Sequence, residues 1–247
     1  MRRAIALIEL IFAIVIIAIT LTAMPNLITR TNKASNEAIT QEAISNGASY
    51  LSMIMSTFWD EESVEPQRGN PILQTTKYAP GLEEENITLP NGINVLTGKR
   101  VGSAKSTSRK FVDNSGLRYS ATLPGNFGKE TNESEPDDID DFNNRGVTLV
   151  KVEETQAKIG DYKDTKINLT TMVNYIKDNP TSNPPGFNLN TITFNNPFDT
   201  TKIENINSTN IKSITLTLTS NNDANKKIIL KAFSCNIGRS KLKERQF

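Results

Sequence analysis

The chain has 247 residues with one cysteine and no histidine, and its 28 basic and 27 acidic residues leave a formal net charge of +1. This balance gives no overall attraction to nucleic acid or to an acidic substrate, and a single cysteine excludes an internal disulfide. Without histidine there is no Ser-His or Cys-His nucleophile pair and no His-ligated metal site. We therefore expect a protein that is not an enzyme and has no catalytic residues, with a Ser-Lys or carboxylate enzyme as the alternative.

The first predicted element is an apolar run from Ile5 to Met24. As a helix it spans about 30 Å, the thickness of the hydrocarbon core of a bilayer. Arg2 and Arg3 precede the run and no comparable basic pair follows directly, which places the N-terminus in the cytoplasm and sends the rest of the chain across the membrane. Glu9 lies inside the run, where a charge costs about 2.5–3.5 kcal/mol and marks a functional position. The alternative is that Glu9 snorkels to the headgroups.

The stretch ALIELIFAIVIIAI resembles the start of type IV prepilins, a family that includes the pseudopilins of type II secretion and DNA uptake. The resemblance implies a leader of residues 1–4, cut by a prepilin peptidase between Ala4 and Ile5, and N-methylation of Ile5. It also implies that Glu9, as the fifth mature residue, meets the amino group of a neighbouring Ile5 during assembly. The family usually has Gly before the cut and Phe after it, and this chain differs at both positions.

The helix is predicted to continue to Trp59, so that residues 5–24 form a transmembrane or filament-core part and residues 25–59 an amphipathic part. Pro25 is expected to kink it, because proline removes a backbone donor and clashes with the preceding turn. A proline near this position also fits the resemblance. Apolar residues at spacings of three and four predict one face that packs on the globular domain, namely Ile44, Ala48, Leu51, Met55 and Phe58.

Residues 60–247 are predicted to form a β-rich globular domain, because short alternating runs are separated by turn residues. Hairpins are predicted around residues 113–116 and between IKSITLTLTS and KKIILKAFSC, and a strand is predicted at GVTLVKVEE. INLTTMVNYI fits a strand or a short helix, and its β-branched content favours the strand. The expected fold is α+β and pilin-like, with a long N-terminal transmembrane-plus-amphipathic helix packed on an antiparallel β-sheet.

An acidic stretch, EPDDIDDFNN, occupies residues 135–144. Its crowded carboxylates repel one another, and Ca²⁺ prefers several carboxylate and carbonyl oxygens. The spacing does not match an EF-hand loop, and the alternative is a solvated loop that caps backbone donors before the next strand. With SCNIG at residues 234–238, the stretch is similar to minor pilins of the mannose-sensitive haemagglutinin type. The predicted calcium ligands are Asp137, Asp138, Asp140, Asp141 and Asn143.

Several smaller features each have two interpretations. Cys235 is expected to be buried and inert, with an intermolecular disulfide as the alternative. Asn86 and Asn132 each stand in an N-x-Ser/Thr sequon with an acidic residue two positions earlier, which resembles the extended sequon of bacterial N-glycosylation but also arises by chance. Trp59 is expected to pack rather than to recognise a partner. The basic tail GRSKLKER is expected to be solvated, with DNA contact as the alternative.

Two function classes follow from these patterns. The first is a minor pilin or pseudopilin, a filament subunit that serves adhesion, motility, secretion or DNA uptake. Its partners would be other pilin subunits, the bacterial inner membrane, a prepilin peptidase, and an assembly platform with its ATPase. The second is a single-pass membrane-anchored binding module that presents its β-sheet in the periplasm and does not polymerise. The substitution Glu9→Ala separates the two classes, because only the first needs Glu9 for assembly.

Overall fold

The structure, a computed structural model, describes a set of segments that covers most of the chain. For residues 2–7 it describes the backbone only. Its contacts divide the chain into two units, Met1–Asn46 and Gly47–Phe247. The described segments are residues 2–64, 69–76, 83–128, 133–148, 167–178, 195–220 and 227–238.

The N-terminal helix α1 runs from Arg2 to Ser56 and ends three residues before the predicted end at Trp59. Large apolar side chains between Ile8 and Ile28 are exposed along the helix. The hydroxyl of Thr20 donates to the Ile17 carbonyl at 2.9 Å, so this threonine brings no unpaired donor to the apolar surface. One helix near the N-terminus is therefore long and apolar enough to cross a membrane.

Helix α1 continues through Pro25. The hydroxyl of Thr29 donates to the Pro25 carbonyl at 2.8 Å, one turn further on. The helix is thus maintained on both sides of the proline. The kink expected at Pro25 stays a prediction.

The second unit contains two antiparallel sheets. Strands β1 (Glu84–Thr88) and β2 (Asn94–Arg100) form the smaller one. The larger sheet has the order β3-β4-β6-β7, and β5 pairs with the end of β4. Its strands are β3 (Gly146–Thr148), β4 (Ile167–Ile176), β5 (Ile203–Glu204), β6 (Ile211–Ser220) and β7 (Lys227–Cys235).

The larger sheet confirms three sequence predictions. INLTTMVNYI is the strand β4, and β6 pairs with β7 in the expected antiparallel hairpin, with Ile214 opposite Ala232. GVTLVKVEE forms a strand over Gly146–Thr148. The rest of that stretch and the turn between β6 and β7 lie outside the described residues.

The hairpin predicted around residues 113–116 is wrong outside its turn, because the residues on either side of the turn do not pair with each other. The turn itself forms, because the amide of Asp113 donates to the Leu117 carbonyl at 2.9 Å. The flanking residues bond elsewhere. The Phe111 amide donates to the Gly98 carbonyl at 2.7 Å, and the Gln74 amide donates to the Tyr119 carbonyl at 2.8 Å.

The β1–β2 hairpin was not predicted from the sequence. Its connection contains Asn91-Gly92, a dipeptide that favours hairpin turns. Gly92 has φ +78°, a conformation that glycine adopts without a steric cost. This dipeptide was the local signal for the hairpin.

The helix face that packs in the second unit agrees with the predicted one at Leu51, which packs against the core cluster. Elsewhere it is shifted by one position, because Gly47 and Ile54 are buried, whereas Ala48 and Met55 are exposed. A Cβ on Gly47 would lie 3.1 Å from Leu218 Cδ2 and 3.2 Å from a Leu230 methyl carbon. The missing side chain lets the end of α1 approach β6 and β7 closely. Ile54 then packs in a cluster with Ile139, Phe142, Val173 and Ile214.

Candidate functional site

The middle of the acidic stretch, residues 138–142, is buried in the second unit. Ile139 and Phe142 are both buried in the core. The Ile139 amide donates to the Phe58 carbonyl at 3.0 Å, and the Phe58 amide donates to the Asp137 carbonyl at 3.2 Å. These apolar anchors and backbone bonds draw the neighbouring aspartates inward, so that Asp138 is only 1% exposed.

Lys212 on β6 supplies the counter-charge for these aspartates. Its side chain is fully buried, and its Nζ donates to Asp140 Oδ1 at 2.5 Å and to Asp60 Oδ2 at 2.9 Å. A third bond goes to the Trp59 carbonyl at 2.6 Å. The three donors of the ammonium group are thereby all used.

Three aromatic rings enclose the ammonium group. The Lys212 Nζ lies 4.3 Å from the ring centroid of Trp59, 5.2 Å from that of Phe127 and 5.6 Å from that of Tyr175. The quadrupoles of these rings attract the cation and their carbons keep water out. The hydroxyl of Tyr175 donates to the Thr122 carbonyl at 2.7 Å. We call Lys212, Asp60, Asp138, Asp140 and these three rings the Lys212 cluster.

The carboxylates of the cluster differ in their surroundings. Asp60 accepts hydrogen bonds from the Thr122 amide at 3.0 Å and the Thr122 hydroxyl at 3.1 Å. Burial, together with the neighbouring charge of Asp140, raises the pKa of Asp138 to about 10. Asp138 therefore carries a proton near neutral pH, in a hydrogen bond with Asp140.

The remaining groups titrate as one buried system. Burial raises the pKa of Asp140, and Lys212 opposes that change. Burial also lowers the pKa of Lys212, but the nearby carboxylates reverse this and leave that pKa above its ordinary value. One lysine and three aspartates thus share a site that is closed to solvent.

The five predicted calcium ligands are not brought together around one point. Asp138 and Asp140 face Lys212. Asp141 Oδ2 accepts the Asp137 amide at 2.9 Å, and Asn143 Oδ1 accepts the Val173 amide at 3.1 Å. Asp141 and Asn143 thus bond to backbone donors, as the alternative interpretation proposed, although the loop is buried rather than solvated.

Asp137 belongs to a different acidic group. One carboxylate oxygen each from Glu61, Glu133 and Asp137 lies within 4.8 Å of the other two. Burial raises the pKa of Asp137, and Glu133 and Asp141 raise it further. Within the described part of the chain, this is the acidic group with metal-binding dimensions, and it contains one of the five predicted ligands. Calcium binding stays a prediction.

The sequon at Asn86 lies on an exposed part of β1. Its acidic residue two positions earlier, Glu84, is buried in a pair of 2.7 Å bonds with the Arg118 guanidinium. The Gly98 amide also donates to Glu84 at 2.7 Å. Glu84 therefore has a structural partner, and modification of Asn86 stays a prediction. Asn132 lies outside the described residues.

The SCNIG motif stabilises the second unit through Asn236. This side chain is 2% exposed; its Oδ1 accepts the Leu73 amide at 2.9 Å and its Nδ2 donates to the Leu73 carbonyl at 2.7 Å. The Asn236 amide group thus replaces a neighbouring strand for Leu73. Cys235 is half-buried, and burial raises the pKa of its thiol, which disfavours the reactive thiolate.

Sequence reasoning missed Lys212, although a periodic signal was present. Lys212 lies two, four and six positions before Ile214, Leu216 and Leu218, whose side chains are buried. Alternate residues of a strand share a face, so this spacing places the lysine on the core side. A charged residue on the core side requires partners of opposite charge.

At the other end of the chain, the predicted processing residues lie in the first turns of α1. Ala4 and Ile5 are helical, and their backbones alone are described. Glu9 is exposed, as are the large apolar side chains that follow it. The carboxylate therefore stands on an apolar surface.

These features define the class of the protein as α+β, with one N-terminal helix able to span a membrane and a unit built on antiparallel sheets. No protein-family model matches the chain, and comparisons with curated proteins and solved structures also find no match.

Proposed function

We propose that the chain is a minor pilin or pseudopilin, a structural subunit of a type IV pilus-like filament. The observation that carries this proposal is Glu9 on the exposed apolar surface of α1. In lipid, an unpaired carboxylate at this depth is unfavourable. In a bundle of such helices, the Glu9 carboxylate can pair with the free amino group of Ile5 from a neighbouring subunit, so assembly compensates the buried charge.

The proposal requires a defined sequence of events. A prepilin peptidase removes residues 1–4, and Ile5 becomes an N-methylated terminus. Before assembly, the chain is a single-pass protein of the inner membrane with its N-terminus in the cytoplasm. Arg2 and Arg3 favour this orientation. An assembly platform and its ATPase then extract it into the filament, where the exposed apolar side chains of α1 contact other subunits instead of lipid.

A second candidate is a membrane-anchored periplasmic binding module that never polymerises. The observation that favours it is the pair of residues at the cleavage position, Ala4 and Ile5, which differ from the usual Gly and Phe. The same helix is long and apolar enough to serve as a permanent anchor.

The two candidates are separated by the substitution Glu9→Ala in the strain that encodes the chain. Filaments sheared from the cells are probed for this subunit by immunoblot, and the membrane fraction is probed in parallel. The filament proposal predicts loss of the variant from the filaments at an unchanged membrane level. The matched control is Glu37→Ala, which removes an exposed carboxylate 4.0 Å from Lys33 on the same helix, a pair of little energetic value.

Incorporation of Glu9→Ala at the wild-type level would contradict the filament proposal. Such a result would favour the permanent anchor. If Glu37→Ala were lost to the same extent, the effect of Glu9 would be a general consequence of removing a helix carboxylate rather than a specific pairing.

A further inference from the structure

The β1–β2 hairpin carries an apolar face that is open to solvent. Ile87 pairs with Val95 across the hairpin, and the Leu89 amide donates to the Ile93 carbonyl at 2.8 Å. Alternate residues of a strand share a face, so these four side chains lie together. Each of them is between 38% and 57% exposed. A contiguous exposed apolar patch of this kind marks an interaction surface.

The charged residues that follow the hairpin tip are all basic. Residues 86–98 contain no charged side chain, and residues 86–112 contain no aspartate or glutamate. The second half of this stretch contains five basic residues, Lys99, Arg100, Lys105, Arg109 and Lys110. Arg100 bonds within the second unit. Before the stretch, the Glu85 carboxylate accepts the Thr97 hydroxyl at 3.0 Å at the base of the hairpin.

The fold brings four of these basic residues to the base of the hairpin. The Lys99 Nζ donates to the Lys105 carbonyl, and the Phe111 amide donates to the Gly98 carbonyl at 2.7 Å. These bonds hold the loop of residues 101–110 beside the end of β2. Residues 105, 109 and 110 are exposed there. We define the basic collar as Lys99, Lys105, Arg109 and Lys110.

An apolar face beside a basic collar matches the surface of an anionic lipid bilayer. We propose that the β1–β2 hairpin lays its apolar face on such a surface while the basic collar contacts the lipid phosphates. Apolar side chains enter the boundary between headgroups and acyl chains, and the negative surface attracts lysine and arginine. The rim of a protein interface is polar on all sides, whereas this apolar face has cations at one end and no charge at the other. The proposal does not depend on whether α1 enters a filament.

The length of the hairpin fixes how it meets the bilayer. Six residues separate Ile93 from Lys99, which is about 20 Å along a strand. A hairpin that entered tip first would keep the collar about this far from the lipid, beyond the Debye length of about 10 Å. A hairpin that lies on its apolar face brings both features to the surface together.

The turn of the hairpin is also suited to an environment that is poor in water. Pro90 has no amide donor. The Gly92 amide donates to the Leu89 carbonyl at 2.8 Å, and the Ile93 amide donates to Asn91 Oδ1 at 3.1 Å. Because backbone groups that are paired internally cost little to remove from water, this turn can approach lipid.

The test uses the full chain, with α1 already held in a bilayer. The chain is reconstituted through α1 into nanodiscs of phosphatidylcholine, and the discs are mixed with vesicles of phosphatidylglycerol and floated on a sucrose gradient. Each collar cation contributes about a fivefold gain in affinity for an anionic surface. At least about tenfold more chain is therefore expected to float with phosphatidylglycerol vesicles than with phosphatidylcholine vesicles or with empty discs as carriers of the scaffold protein. No flotation, or equal flotation with both lipids, would overturn the proposal.

Variants with matched controls test the two parts of the surface. Ile93→Asp is expected to weaken flotation at least about tenfold, whereas Ile206→Asp, at a 78% exposed isoleucine outside the hairpin, leaves it unchanged. Lys105→Gln with Arg109→Gln is expected to weaken it about 25-fold. The control is Lys202→Gln with Lys227→Gln, which removes two exposed lysines elsewhere. The fluorescence of Trp59, the one tryptophan in the chain, reports whether each variant is folded.

A fluorescent label and a DNA probe complete the test. An environment-sensitive dye on Asn91→Cys, in a chain that also carries Cys235→Ser, is expected to shift its emission to the blue with phosphatidylglycerol vesicles. Flotation of Ile93→Asp at the wild-type level would overturn the role of the apolar face. If a short DNA duplex bound the chain in place of the vesicles, and this binding needed the collar but not Ile93, the collar would be a nucleic-acid site and the lipid proposal would be wrong.

Discussion

Asn236 offers the sharpest test of how the second unit is stabilised. The side chain pairs both backbone groups of Leu73, and Leu73 is fully buried. The substitution Asn236→Ala leaves the Leu73 amide and carbonyl without these partners in a place that water does not reach. Each of the two orphaned groups costs about 1–3 kcal/mol, so we expect the free energy of unfolding to fall by about 2–6 kcal/mol. This is a large share of the stability of an ordinary domain.

The assay is urea denaturation of the full chain in detergent, followed by the fluorescence of Trp59. A second variant, Asn236→Asp, keeps an acceptor for the Leu73 amide but loses the donor and buries a charge, so it is expected to be destabilised at neutral pH as well. The control Asn205→Ala changes an exposed asparagine and is expected to stay within about 0.5 kcal/mol of wild type. A loss under about 1 kcal/mol for Asn236→Ala would refute the reasoning.

Three further substitutions test separate contacts. Gly47→Leu forces a side chain against β6 and β7, where a Cβ already lies at 3.1 Å, and is expected to cost about 1–3 kcal/mol in the same denaturation assay. Arg118→Met leaves Glu84 buried without its cation and is expected to cost about 2 kcal/mol. Burial raises the pKa of Asp178, so the folded chain holds this proton more tightly and stability falls as pH rises through the folded pKa. The stability of Asp178→Asn relative to wild type is therefore expected to be more favourable at pH 7.5 than at pH 4.5.

Each of these three has its own contradicting result. Ala48→Leu, one position along the helix on an exposed site, is the control for Gly47→Leu; equal losses would show that the close approach is not the cause. Arg118→Lys preserves the charge but not the two-pronged geometry, and a loss as large as that of Arg118→Met would assign the effect to geometry alone. An unchanged difference between the two pH values would refute the account of Asp178.

The sequence predicted the elements whose signals are local. Alternation along β6 and β7 specifies both strands and their pairing, and the β-branched content of β4 favours a strand. The turn at residues 113–116 was also predicted, since its chemistry lies within four residues. Its flanks were misjudged because their partners, such as Gly98, are set by tertiary packing rather than by neighbouring sequence.

The Lys212 cluster could not be predicted from local sequence patterns, for the same physical reason. It joins Asp60, Asp140 and Lys212, which are far apart in sequence. The acidic stretch correctly suggested that crowded carboxylates need neutralisation. The pattern did not show that Lys212 on β6 and a proton on Asp138 together offset the charge of these carboxylates.

The central claim, that the chain is a pilin-type subunit, is tested most directly by its intact mass after expression with and without a prepilin peptidase. The account predicts that the peptidase removes residues 1–4 and that one methyl group appears on Ile5. A mass that retains residues 1–4 in the presence of the peptidase would contradict the account and would favour the permanently anchored binding module.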